Sequence, residues 1–184
     1  QPLATYPWGM PGHSLFRSLE PLLERVSKPI QYVGGELNST VKDWEVAGEE
    51  TVRWALMYPD AYEVGVPNQG VMILYEVLNE RPDALAERTY AVWPDLEALM
   101  REHGVPQFTV DAHRPVGDFD LFGISFSTEL GYTNMLTALD LAGIQWSEYG
   151  ARAGGYRLMR IAKQHNLPAT FCVNARVAEL FPAV

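Results

Sequence analysis

The sequence predicts an α/β fold built on a mostly parallel sheet with helices on both faces, and three observations predict it. Short, continuously apolar runs, chiefly 52–57 and 121–126, alternate with longer segments whose apolar residues recur every three or four positions. Three helical segments close on Gly or Asn followed by an apolar residue, at His103-Gly104-Val105, Ala142-Gly143-Ile144 and His165-Asn166-Leu167. Two of these endings lead into strand-like stretches, 107–110 and 169–173. Strands that lack polar alternation and are separated by amphipathic helices belong to sheets buried on both sides.

Each element follows from its residues. Pro2, Pro7, Gly9, Pro11 and Gly12 make the first 14 residues an irregular arm. Leu15, Leu19, Leu22, Leu23 and Val26 recur at helical spacing, with Pro29 beyond them as the stop, and 31–38 reads as a loop. Val52 to Met57 is the first strand, ended by Tyr58-Pro59-Asp60. Asn68 can cap a helix whose stripe is Val71, Leu74, Tyr75 and Leu78. Thr89 to Val92 reads as the second strand. Pro94 opens a helix with Asp95 and Glu97 in its first turn, where carboxylates complement the dipole. The strand 121–126 precedes a helix carrying Tyr132, Met135, Leu136 and Leu139 on one face. The chain thus reads as an arm and helix (1–50) followed by alternating strands and helices.

Composition narrows the function. At 184 residues, 47% hydrophobic and 20% charged, the chain can bury a core. A formal charge of −9 with no basic run repels phosphate backbones and anionic lipid, which argues against nucleic acid and membrane surfaces as partners. No apolar stretch approaches the roughly 20 residues that span a bilayer, and the start shows no signal-type pattern; the expectation is a cytoplasmic protein whose partner is a small-molecule cofactor. Cys172 is the single cysteine, whereas an iron–sulfur cluster needs about three or four thiolates. The four histidines show no metal-ligand spacing, and no metal site is expected.

Parallel sheets bind ligands at the carboxyl ends of their strands, so the loops after Met57 and Phe126 are the candidates. In the first, Asn68, Gln69 and Gly70 offer amides at a helix N-terminus, a receptor for a phosphate or for the amide fringe of a large cofactor; a plain capped loop is the alternative. In the second, Ser125, Ser127, Thr128 and Glu129 combine small hydroxyls with a carboxylate. They would let a flat macrocycle lie close to the sheet edge, or Ser127 or Thr128 would simply cap the next helix. Asp111 and His113 read as a polar loop, since the glycine that would complete a cobalt-ligating Asp-x-His-x-x-Gly signature stands one residue too far on, at Gly117.

The stretches Arg25-Val-Ser-Lys-Pro-Ile-Gln-Tyr-Val-Gly-Gly-Glu-Leu-Asn38, Met57-Tyr-Pro-Asp-Ala-Tyr-Glu-Val-Gly65, Pro67-Asn-Gln-Gly70, Leu78-Asn-Glu-Arg81 and Gly123-Ile-Ser-Phe-Ser-Thr-Glu-Leu-Gly-Tyr-Thr-Asn134 resemble the N-terminal cobalamin-binding region of bacterial radical S-adenosylmethionine (radical SAM) proteins. The resemblance runs from about Ser14 to Ile144. It implies a three-layer Rossmann-like, flavodoxin-like sheet and a cobalamin site lined by Asn68, Gln69, Gly70, Ser125, Ser127, Thr128 and Glu129. It also implies that the iron–sulfur cluster and S-adenosylmethionine belong to a catalytic barrel of the full-length parent. Ser125-Phe-Ser127 stands where such domains carry Ser-x-Leu. From Gln145 onward, Glu148 to Arg160, Leu167 to Asn174 and Val177 to Leu180 resemble polysaccharide deacetylases and allantoinase-like proteins, without the Asp-Asp pair or His-x-x-x-His ligands of those hydrolases. That second resemblance implies a hydrolase remnant; a non-catalytic α/β domain is the remaining reading. The division of the chain after residue 50 into an α/β domain (51–144) and a helix-strand-helix segment (145–184) is what the two family resemblances imply.

Overall fold

The computed structural model describes residues 12–44, 51–144, 160, 163 and 164. The chain divides into two compact units, Gln1–Gly143 and Ile144–Val184, and the architecture below is that of the first. Three parallel strands, β1 (Val52–Tyr58), β2 (Ala84–Tyr90) and β3 (Leu121–Ile124), lie in the order β2-β1-β3. The register pairs Leu56 with Arg88 on one side and with Gly123 on the other. Among the described residues five helices accompany them: α1 (Phe16–Leu23), α2 (Tyr62–Gly65), α3 (Gln69–Glu80), α4 (Pro94–His103) and α5 (Tyr132–Leu141).

Strand alternation sorts the helices into layers. Trp54, Leu56, Tyr58 and Ala86 meet Val71, Tyr75 and Leu78 of α3 on one face. Met57, Phe122 and Ile124 meet Ala138 of α5 on the other. On that second side α4 joins α5 through an ion pair from Arg101 to Asp140 (2.6 Å). α1 packs against α4 through Leu15, Leu19, Leu22 and Leu23 with Leu96, Leu99 and Met100. The parallel three-layer α/β arrangement is the one the sequence predicts.

Several boundaries follow the sequence signals. Asn68 Oδ1 accepts from the Val71 amide at 3.1 Å and starts α3. Pro94 occupies the first turn of α4, and Gly104 ends that helix at φ +67°, with the Val105 amide donating to the Met100 carbonyl at 2.8 Å.

Others differ. β2 begins at Ala84 rather than Thr89 and is buried throughout, although it contains Glu87 and Arg88; both charges are neutralised within the fold, so the usual link between charge and exposure fails. The stretch 107–110 is no sheet strand. It forms a hairpin with the residues up to Val116 through a single Phe108–Pro115 bridge, and it covers the outer edge of β2 by donating the Val110 amide to the Arg88 carbonyl (2.8 Å) and accepting Thr89 Oγ1 at the Phe108 carbonyl (2.6 Å). β3 stops at Ile124. Leu74 points away from the stripe assigned to it and is exposed, as are Tyr132 and Leu136. The strand and helices expected within 145–184 lie outside the described residues.

Candidate functional site

The chain leaves β1 toward β2 on one side and returns to β3 on the other, so the carboxyl ends of β1 and β3 form the switch point at which open α/β sheets take ligands. The loop after β3 is pinned at both ends and open between them. At its start the Ser125 amide donates to the Met57 carbonyl at 2.8 Å. At its end Gly131 lies against Pro59, where a Cβ would come within 2.9 Å of the proline ring; Asn134 Nδ2 donates to the Pro59 carbonyl at 3.1 Å. Between these anchors Phe126, Ser127, Thr128, Glu129 and Leu130 are all exposed, Leu130 at 87%. Phe126 meets Tyr132 edge to face at 5.8 Å.

Neither Ser127 nor Thr128 caps the following helix. A single 3-10 turn, Glu129–Gly131, leads into α5 without a side-chain cap, and the Ser127 hydroxyl instead hydrogen-bonds the Tyr58 hydroxyl at 3.2 Å, joining the ends of β3 and β1. The second predicted group lies at the same end of the sheet. α2 covers the ends of β1 and β2, its Gly65 touching the Tyr90 ring and the Tyr58 Cβ. Beyond α2, Asn68 spends its side chain on α3, while Gln69 and Gly70 are exposed. Among the described residues no hydrogen bond joins Asn68, Gln69 or Gly70 to the Ser125–Glu129 loop.

A buried polar network lies beside this end and was not anticipated from the sequence. Asp111 Oδ1 accepts from Arg88 Nη2 (2.6 Å), Ser39 Oγ (2.5 Å) and Tyr75 OH (3.3 Å), and Oδ2 accepts from the Arg88 amide (2.6 Å). Arg88 also donates to Glu36 at 3.2 Å, and Glu36 accepts from Tyr62 OH at 2.6 Å. Burial, then the Glu36 carboxylate, pushes the Tyr62 hydroxyl up to about 12. Burial would lower the Arg88 guanidinium, but the hydrogen bonds and charge of Asp111 outweigh it and hold it above its ordinary value.

On the other face of β2, Glu87 pairs with Arg114 and accepts from Thr109 Oγ1 at 2.5 Å; burial leaves its carboxyl above the usual range despite that partner. A stretch reading Ala-Leu-Ala-Glu-Arg-Thr-Tyr in a domain of apolar strands was the available signal, because adjacent opposite charges point to opposite faces of a strand.

His113 is buried at φ +56°, its Nε2–H donating to the Tyr32 carbonyl at 2.8 Å. It belongs to the polar hairpin, as the sequence suggests, and its Nε2 is not free to ligate a metal. Among the described residues no group of three or more His, Cys, Asp or Glu could hold a metal ion, and no helix is long and apolar enough to cross a membrane.

The comparisons bear on the stretch from α3 onward, which holds β2 and β3 but not β1. A family model described as radical SAM proteins, N-terminal, matches residues 70–153. Over that span the chain is similar to the N-terminal region of radical SAM proteins. The match begins well after Ser14 and runs past the junction near residue 145, so the change of resemblance read at Gln145 does not mark its end. No curated protein and no solved structure matches the chain.

Proposed function

We propose that the unit ending at Gly143 is a cobalamin-binding N-terminal domain of a radical SAM protein, acting in a cytoplasmic setting, with the corrin received at the carboxyl ends of β1 and β3. The observation that carries this reading is the open loop between two anchors, 126–130, standing at the switch point of a parallel sheet in a stretch similar to radical SAM N-terminal regions. Its donor set suits a large amphipathic ring. Phe126 and Leu130 offer apolar surface to the macrocycle. Ser125, Ser127, Thr128 and Glu129 offer hydroxyls and a carboxylate to the amide fringe, and the first turn of α3 presents the Gln69 and Gly70 amides at the same end of the sheet, beside Asn68, whose own amide is held by the Gly65 carbonyl.

Cobalamin, when bound, supplies a cobalt centre able to carry an alkyl group or an electron. Buried and committed to the Tyr32 carbonyl, His113 would not be among the residues that hold it. An iron–sulfur cluster does not fit these residues, since Cys172 stands alone, and cluster chemistry belongs to the parent's catalytic barrel.

The test is retention of corrinoid. The protein is mixed with hydroxocobalamin, desalted, and its visible spectrum recorded beside that of a Ser127→Trp variant. Retained corrinoid in the native chain and its loss in the variant are expected. A native chain that elutes colourless would overturn the proposal.

A further inference from the structure

α3 is apolar on two sides. Its inner face, Val71 and Tyr75 with Leu78 partly buried, belongs to the sheet. Its outer face carries Ile73 at 58% exposure, Leu74 at 52% and Val77 at 52%. These stand at i, i+1 and i+4, one turn beyond Gly70, and at 3.6 residues per turn the four positions form a single stripe. Gly70 extends the stripe without a side chain; a Cβ there would meet only Asn68 Oδ1, at 3.3 Å, so the surface outside it is open.

A solvent-facing helix side is ordinarily polar, and isolated exposed apolar residues need no explanation. Three β-branched or leucine side chains in adjoining positions, each half-exposed or more, form a contiguous patch of the kind that marks an interaction surface. Along one edge of the stripe the helical wheel places Glu76 and Glu80. Both are exposed, and neither carboxylate has an ion-pair or hydrogen-bond partner among the described residues.

We infer that the outer face of α3 is a docking surface for an amphipathic helix with a basic edge, which seats its apolar side on Ile73, Leu74 and Val77 and sets lysines or arginines against Glu76 and Glu80. Charge complementarity selects this occupant. A second copy of the chain would bring another acidic edge, in a protein of net charge −9, and like charges across an interface are costly. A membrane surface is disfavoured for the same reason, since the flanking carboxylates would face anionic headgroups. The stripe shares only Gly70 with the residues assigned to the corrinoid site, and Ile73, Leu74 and Val77, which carry the contact, are not among them.

Two synthetic helical peptides test it. They share one apolar face of leucines at alternating three- and four-residue spacing; one carries a lysine edge and the other a glutamate edge. Binding to the full chain is read by fluorescence anisotropy at low and high salt, and the contact is located by hydrogen exchange. The lysine-edged peptide should bind at least about tenfold more tightly at low salt, with protection confined to 69–80. The preference should invert in the Glu76→Lys/Glu80→Lys variant, and binding should vanish in Leu74→Lys, whose circular dichroism and melting should match the native chain because the side chain is half-exposed. Equal binding of the two peptides, or protection elsewhere, would overturn the inference. So would a native dimer in sedimentation that Leu74→Lys dissociates, which would give the face to a second copy.

Discussion

Replacing Asp111 with alanine removes five hydrogen bonds from one fully buried carboxylate: those from Arg88 Nη2, Nε and backbone amide, from Ser39 Oγ and from Tyr75 OH. Both charged side chains of the pair are 0% exposed. Arg88 then keeps Glu36 at 3.2 Å, the Tyr75 ring at 4.5 Å and the sulfur of Met72 at 3.5 Å, none of which balances its charge in the interior as Asp111 does. Breaking a buried pair from one side costs about 3–5 kcal/mol. For a chain of this length each kcal/mol moves the midpoint by roughly 2–4 °C, so the melting temperature should fall by roughly 6–20 °C. Thermal and urea unfolding followed by circular dichroism measures it. Asp111→Asn, which keeps one oxygen acceptor and no charge, should fall between the two. Arg88→Met combined with Asp111→Ala should be more stable than Asp111→Ala alone, because the buried guanidinium, left with Glu36 as its only carboxylate partner in the single variant, is gone. A loss below about 1 kcal/mol in the single variant, or strict additivity in the double, would refute the assignment of this pair as the centre of the network.

Leu19→Ala, at a fully buried position between α1 and α4, should destabilise the unit by about 2–5 kcal/mol in urea titrations; an effect near zero would separate α1 from the sheet domain. Gly104→Ala forces a side chain into the left-handed region at φ +67° and should cost about 1 kcal/mol, read as a lowered urea midpoint with unchanged slope. Burial holds the His113 imidazole below its ordinary value. The unfolded chain therefore takes up a proton near pH 6.5 while the fold does not, and stability should drop as pH falls through that value toward the lower folded one. His113→Asn, which tolerates the positive φ and does not titrate there, should lose less melting temperature than the native chain between about pH 7 and about pH 5; identical pH profiles would contradict the shift.

Local signals made the frame legible. Asn68 and Pro94 start helices, Gly104 stops one, and the run Val52 to Met57 forms the central strand because each acts within a few residues of itself. The candidate site was legible only as a location: parallel topology directs attention to the strand ends, and the loop holding Ser125 to Glu129 follows β3. What those hydroxyls touch was not, since the Tyr58 partner of Ser127 is 69 residues away. β2 was half-missed for a related reason. Glu87 and Arg88 imply exposure unless their partners are known, and those partners, Arg114 and Asp111, stand in a separate hairpin. Leu74 shows the opposite failure: apolar spacing assigns it to a core stripe, whereas α3 has apolar residues on two sides and only tertiary packing decides which one faces the sheet.

The polar network also bears on the order of assembly. β1 and β2 adjoin through a short excursion of chain, whereas Ser39 meets Asp111 and the Lys42 carbonyl meets Arg114 across 72 residues, and the Gly12 amide meets Asp118 across 106. Closing such loops costs chain entropy before any bond rewards it, so the β1–β2 pair is expected to form before the segment from Gly34 to Trp44 fastens onto it. Contacts made after the rate-limiting barrier leave the folding rate unaltered and govern how fast the native state comes apart. Fastened in that order, the segment from Gly34 to Trp44 would act as a brake on unfolding, setting the lifetime of the folded domain more than the ease of reaching it.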